Sequence, residues 1–140
     1  MKITFCGHAK EVYGKDIIKK LHTVLTEKIQ FGAKIFYLGG YGKFDYICAK
    51  TLKKLKATYP HIKIIFVTPY INKPFDTQIY DESIYPSLEN IPLRFAISHR
   101  NRWMVDNSDC VICYVKHGWG GAFKTLEYAK KGKKEIIELQ

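Results

Sequence analysis

The chain has 140 residues, 46% of them hydrophobic, which is the size of one ordinary domain able to bury a core without disulfide or metal staples. Lys and Arg outnumber Asp and Glu by 23 to 13, a net charge of +10, and such a balance favours polyanions, small phosphorylated molecules and nucleic acid alike. No charge-free apolar run approaches the ~20 residues that span a bilayer, and Met1-Lys2-Ile3-Thr4-Phe5 leads straight into a strand-like run without a signal-peptide pattern, so the expected protein is cytoplasmic with no membrane partner.

The predicted elements alternate. Lys2 to Cys6 is a strand ending at Gly7-His8. Ile17, Ile18, Leu21, Val24, Leu25 and Ile29 then recur at helical spacing up to Phe31-Gly32, a helix with a glycine stop. Ala33 to Leu38 is a second strand, broken by Gly39-Gly40-Tyr41-Gly42, after which Phe44, Ile47, Cys48, Thr51, Leu52 and Leu55 form a helical stripe. Ile62 to Thr68 is a third strand, ended by Pro69.

Residues 69–93 break the pattern, with prolines at 74, 86 and 92 and scattered tyrosine and phenylalanine. An aperiodic stretch of this length is expected to be a lid, a binding loop or an interface. Ala96 to Asn107 is a helix, Asp109 to Val115 a fourth strand, and Gly118-Trp119-Gly120-Gly121 a second glycine turn. Ala122, Leu126 and Ala129 mark the next helix, and Glu135 to Leu139 a fifth strand.

This order, with nearly continuous apolar strands, predicts an α/β fold: one domain over 1–140, a Rossmann-like three-layer sandwich around a mostly parallel five-stranded sheet, with an irregular insert at about 69–93. Ligands of such sheets bind beyond the carboxyl ends of the strands, where the strand order reverses. Three turns fall there: Gly7-His8, Gly39 to Asp45, and Gly118 to Ala122.

Four cysteines are present. Cys6, Cys48 and Cys110 lie in apolar runs, where reduced, buried thiols usually sit. Cys110 and Cys113 form a C-x-x-C, but a spacing of three on a strand sends the thiols to opposite faces, and no second pair completes a zinc site. Neither a metal nor a cofactor is expected.

In Gly39-Gly40-Tyr41-Gly42-Lys43-Phe44-Asp45 a strand passes directly into a helix. Glycine lets a ligand approach the backbone, and a free helix N-terminus favours an anion such as phosphate; a simple connecting turn is the alternative. Asp45 either satisfies the first helical turn or bonds a ribose hydroxyl. Gly118-Trp119-Gly120-Gly121-Ala122 repeats the arrangement, with Trp119 either a stacking surface for a base or a packing residue. Between these turns, Arg100 shares a helix face with Met104. Its planar fork suits phosphate, and an ion pair with Asp106 or Asp109 is the alternative.

The order of these motifs, G-x-x, then G-G-x-G-x-x-D, then R-N-x-x-M-V-D-x-S-D, then a G-G-A turn in a last β-α-β unit, resembles the SLOG superfamily of Rossmann-like domains. That superfamily includes cytokinin-activating phosphoribohydrolases and sensor domains for nucleotide-derived signals such as cyclic ADP-ribose variants. It is similar to nucleoside deoxyribosyltransferases and to the DNA-processing protein of natural transformation. The resemblance covers most of the chain outside 70–92 and implies a ligand site lined by Gly7, His8, Gly39, Gly40, Gly42, Phe44, Asp45, Arg100, Asn101, Gly118, Gly120, Gly121 and Ala122. It also implies a homodimer.

The hydrolases of the superfamily carry P-G-G-x-G-T-x-x-E, whose glutamate assists cleavage of an N-glycosidic bond. Here Ala122 falls at the threonine and Lys124 or Thr125 at the acid. A lysine opposes an oxocarbenium-like state, and Glu127 lies further round the helix. The expected function is therefore binding, as sensor or sequestering protein, of a nucleotide-derived molecule such as an ADP-ribose-type or cyclic nucleotide signal. An N-glycosidase or deoxyribosyltransferase-like enzyme is the alternative. Binding of single-stranded DNA comes third, suggested by the net charge and by Arg100-Asn101-Arg102.

Overall fold

A computed structural model describes all 140 residues. Strand β1 (Lys2–Gly7) leads into helix α1 (Lys15–Gln30), β2 (Ile35–Leu38) into α2 (Gly42–Thr58), and β3 (Lys63–Val67) into a short strand β4 (Glu82–Ile84). Then come α3 (Leu93–Asp106), β5 (Cys110–Tyr114), α4 (Gly120–Lys131) and β6 (Glu135–Glu138). Local chemistry sets these limits. The i, i+4 spacing of Leu21, Leu25 and Ile29 buries one stripe of α1, and Gly32, at φ +107°, turns the chain out while Ala33 N–H bonds Lys28 O at 2.9 Å.

The six strands form one sheet in the order β4-β3-β2-β1-β5-β6, and every neighbouring pair is parallel. Order reverses at β1, which pairs with β2 on one side and β5 on the other. Right-handed crossovers place α1 and α2 on one face and α3 and α4 on the other, so the sandwich has three layers. The α1/α2 layer holds the larger core, with Leu21, Leu25, Phe44 and Leu52 against Ile3, Phe36, Cys110 and Ile112. Beneath α3 and α4, Val105, Leu126 and Ala129 pack on Cys6, Val111 and Cys113, and Met104 packs on Tyr37, Ile65 and Val67. Cys110 and Cys113 thus face opposite ways, and all four cysteines are buried and free. No helix is long and apolar enough to cross a membrane.

The sheet has six strands where the periodicity predicts five. The additional strand comes from the aperiodic insert: Glu82–Ile84 runs along β3 at the sheet edge. No helix makes this crossover. Instead Phe75 and Tyr80 lay their rings against Phe66 on β3, with centroids 6.2 and 5.3 Å away. Asp81 anchors the return, since its carboxylate accepts Ile64 N–H at 2.8 Å and pairs with Lys56. Burial works to raise the Asp81 carboxyl, but Lys56 and the Ile64 N–H outweigh it and hold the group below its ordinary value.

Candidate functional site

A cavity of ≈ 580 Å³ opens beyond the carboxyl ends of β1 and β5, at the reversal of strand order where a doubly wound sheet accommodates ligands. Its floor is the end of β1, Phe5 to Gly7, followed by His8 to Glu11. The N-terminal region of α2 contributes Tyr41 and Asp45, and α3 contributes Ile97, Arg100, Asn101 and Met104. The β5–α4 turn completes the wall with His117, Trp119, Gly120, Gly121, Ala122 and Thr125.

Of the residues singled out from the sequence, the cavity brings together Gly7, His8, Asp45, Arg100, Asn101, Gly120, Gly121 and Ala122. Gly39, Gly40, Gly42, Phe44 and Gly118 lie behind or beside the wall. The two glycine turns differ in what a side chain would meet. A Cβ on Gly40 falls 2.3 Å from the Phe66 ring, one on Gly42 2.5 Å from Ala9 Cβ, and one on Gly39 2.8 Å from Arg100 Cζ. At Gly7 it meets the Phe44 ring at 2.3 Å. These glycines are required by the protein's own packing. A Cβ on Gly121, by contrast, meets no neighbouring element within 4 Å, and one on Gly120, itself held at φ +90°, meets only His117 at 4.0 Å.

The helix ends behind the two turns differ in the same sense. At α2, Lys43 N–H donates to Ala9 O at 2.9 Å, and the Asp45 carboxylate accepts Tyr41 N–H at 3.3 Å. Its own protein partners thus occupy that terminus. Neither N-cap residue caps its helix with a side chain, but no first-turn N–H of α4 has a partner outside the helix, and Gly120 and Gly121 line the cavity.

Arg100 is 5% exposed. Its Nη1 donates to Gly39 O and Val67 O, both at 3.0 Å, and its Nε to Asn101 Oδ1 at 2.9 Å. Neither Asp106 nor Asp109 pairs with it: Asp106 accepts from Tyr128 Oη and Asp109 from Lys2 N–H. The guanidinium therefore ties α3 to the carboxyl ends of β2 and β3, and its Nη2 is the part with no protein acceptor. Arg102 lies outside, its guanidinium 5.2 Å over the Tyr128 ring.

Asp45 sits close to this charge. Burial raises its carboxyl to about 6, opposed by the Tyr41 N–H, by Arg100 and by the N–H groups of Gly39 and Gly40. Thr125, where the hydrolase pattern has its acid, donates to Gly121 O at 2.9 Å. Glu127 is away from the cavity and pairs with Lys130 at 3.7 Å. Asp45 and Glu11 are the carboxylates in the cavity wall.

Three rings stack at the mouth. His8 lies on His117, centroids 3.8 Å and 13° apart in plane, and His117 lies on Trp119, 3.8 Å and 18°. The stack is held at both ends. Lys116 N–H donates to His8 Nε2 at 2.9 Å, and His117 Nδ1 lies 3.0 Å from Trp119 O. His8 Nε2 is therefore an unprotonated acceptor, in keeping with burial and the neighbouring His117, which lower its pKa. Trp119 remains 70% exposed, as does Tyr41 at 71%. His117 carries no sequence signal beyond its place before Gly118, and its partner in the stack is 109 positions earlier in the chain.

No protein-family model matches the chain, and no curated protein matches it by sequence. Solved structures do. DNA processing protein A from Helicobacter pylori, described for its single-stranded DNA binding mode, aligns over 99% of this chain and 64% of its own, with TM-score 0.70 and 19% identity. The molybdenum cofactor binding protein of Rippkaea orientalis aligns over 98% and 74%, with TM-score 0.64 and 20% identity. DNA processing protein A from Streptococcus pneumoniae aligns over 98% and 49%, with TM-score 0.67 and 19% identity. The chain thus spans roughly half to three quarters of these structures. At such identities the likeness shows the fold, and it is the Rossmann-like fold that the SLOG resemblance implies.

Proposed function

We propose that the chain binds a nucleotide-derived molecule in the cavity at the ends of β1 and β5, with phosphate on the N-terminus of α4 and a planar heterocycle against the ring stack. The observation that carries this reading is the pairing of an uncapped helix end, bare of side chains at Gly120 and Gly121, with the exposed Trp119 ring beside it. The helix end offers N–H donors and the positive end of a dipole to an anion. The ring offers a face to a base. Asp45, on the opposite wall, suits a ribose hydroxyl, and Arg100 Nη2 is available to a phosphate oxygen. ADP-ribose-type and cyclic nucleotide signals are the class proposed, for a sensing or sequestering role. The structural likeness is consistent with small-ligand binding on this fold, since one neighbour is described as binding a molybdenum cofactor.

The test is the melting temperature of the purified chain with ADP-ribose, cyclic ADP-ribose isomers and cyclic dinucleotides. A ligand at about 100 times its Kd adds about 2.7 kcal/mol to stability. The expected result is a shift with at least one of them that Gly121→Val abolishes while leaving the unliganded melting temperature in place. No shift with any of them, well above micromolar concentration, sinks the reading.

Single-stranded nucleic acid is the second reading, favoured by the net charge of +10 and by the fold shared with DNA processing protein A. The Arg100-Asn101-Arg102 segment contributes little to it, because Arg100 is turned inward. Turnover of the ligand is a third possibility, centred on Asp45. Its sign is free base released from a nucleoside monophosphate and lost in Asp45→Asn.

A further inference from the structure

Cys6 on β1 and Cys113 on β5 are direct partners in the parallel register. Both side chains enter the layer beneath α4, packing with Val105, Leu126 and Ala129, and both thiols are free. Paired strands lie ~4.8 Å apart, within the roughly 4.4–6.8 Å Cα separation of a disulfide. The remaining cysteines are placed otherwise: Cys110 pairs in register with Ile3 and Glu135, and Cys48 sits on α2.

The two thiols also differ in access. Cys6 forms part of the cavity floor, whereas Cys113 is completely buried. A reagent small enough to reach the bottom of the cavity meets Cys6 first, with Cys113 beside it on β5. The pair is electrostatically linked as well. The neighbouring Cys6 lowers the Cys113 thiol against the effect of burial and of Glu138, with Lys130 assisting, and Cys6 is raised in turn. Cys48, without such a partner, is raised by burial. One proton shared between two sulfurs gives an anion that a lone buried thiol does not provide.

We propose that Cys6 and Cys113 are a reactive thiol pair, oxidised to a disulfide by a small peroxide that enters through the cavity. At rest the shared proton lies on Cys6; it passes to the Cys113 sulfur as the Cys6 sulfur, the one the cavity exposes, attacks a peroxide oxygen. The O–O bond breaks, Cys6 becomes a sulfenic acid, and hydroxide departs and is protonated to water. The Cys113 sulfur then attacks the Cys6 sulfur. The S–O bond breaks, and the hydroxyl leaves as water with the Cys113 proton. Two thiols lose two protons and two electrons, and one peroxide becomes two waters. Side chains of directly paired parallel residues run side by side, so closing the bond draws the strands out of their relaxed geometry, and a strained disulfide is readily reduced. The modification is therefore reversible by a dithiol.

The experiment treats the full chain with stoichiometric hydrogen peroxide, removes the excess with catalase, and alkylates the remaining thiols in denaturant. Tryptic peptides are then mapped by mass spectrometry. The expected product joins peptide 3–10 to peptide 103–116 through Cys6 and Cys113, with Cys48 and Cys110 alkylated, and dithiothreitol releases it. In Cys113→Ser the expected product is a sulfenic acid on Cys6, captured by dimedone. Cys6 and Cys113 still alkylated after peroxide, Cys6 joined to Cys48 or Cys110, or bonds found only between chains would each overturn the proposal. Should Cys113→Ser fail to fold, the peptide map of the unaltered chain decides alone.

Discussion

Arg100 and Asp45 stand on neighbouring walls of one cavity, and their charges are held in different ways. Arg100 is buried with three of its N–H groups on protein acceptors, two of them the backbone carbonyls of Gly39 and Val67. Replacing it by methionine keeps the apolar stem and strands both carbonyls, at about 1–3 kcal/mol for each unsatisfied group. Arg100→Met is therefore expected to lower the stability by about 2–4 kcal/mol, read from the urea midpoint at unchanged slope. A loss under about 0.5 kcal/mol would mean that the guanidinium is not the tie between α3 and the strand ends.

Asp45 gives a pH dependence of defined sign. Its carboxyl is raised to about 6 in the folded protein, against about 3.9 in an unfolded chain. Between those values the folded state binds more protons at this group, so the contribution of Asp45 is fully present below about 4 and is lost as pH rises through about 6. The size is on the order of 2 kcal/mol for this partly buried group. Asp45→Asn should remove that fall, which urea titrations at pH 5 and about pH 8 would reveal. An unchanged slope in the variant would place the titration on another residue.

At the scale of the elements, the contrast between the two glycine turns makes a paired prediction. Gly42→Ala meets Ala9 and forces a side chain onto φ +90°, costing about 1–3 kcal/mol. Gly121→Ala adds a methyl that meets no neighbouring element within 4 Å and is expected to leave stability level or raise it by up to about 1 kcal/mol through helix propensity. Thermal unfolding of the two variants side by side measures this. Equal losses would show that the second turn is packed as tightly as the first.

These turns also show how far the sequence could be read. Apolar periodicity located β1, β2, β3, β5 and β6 and all four helices, because each is long enough to repeat its pattern. It missed β4, whose three residues at the sheet edge, Glu82, Ser83 and Ile84, include two exposed polar ones. Strand-to-helix glycines correctly marked the rim. Which turn was open was not legible, since Phe66, Ala9 and Arg100, which fill the space above Gly40, Gly42 and Gly39, come from other elements. The same holds for the His8–His117 stack, which exists only once β1 and β5 lie side by side.

For the whole molecule, the parallel arrangement gathers the carboxyl ends of all six strands at one rim while lysines occupy the outer helix surfaces. A compact nucleotide held at the α4 terminus replaces few counterions, whereas a nucleic-acid strand lying along the lysines releases many. Affinity for an oligonucleotide should therefore drop by orders of magnitude between about 50 and 200 mM salt if six or more phosphates are contacted, and affinity for a mononucleotide ligand much less. Titrations of both at several salt concentrations separate the readings. A flat dependence for the oligonucleotide would remove the second one. The homodimer implied by the superfamily resemblance is a proposal that sedimentation of the purified chain tests, and the exposed Leu93 and Phe95 on α3 are apolar surface available to such a contact.

The ring stack at the cavity mouth has an optical consequence. The chain has two tryptophans, and their surroundings differ sharply. Trp103 packs edge-on against Tyr37, centroids 5.2 Å apart, while Trp119 lies flat on an imidazole with its other face to water. A molecule that covers Trp119 changes the polarity around one indole and leaves the other alone. Emission from Trp119 in a Trp103→Phe background would then follow occupancy without any attached dye, making the protein its own indicator.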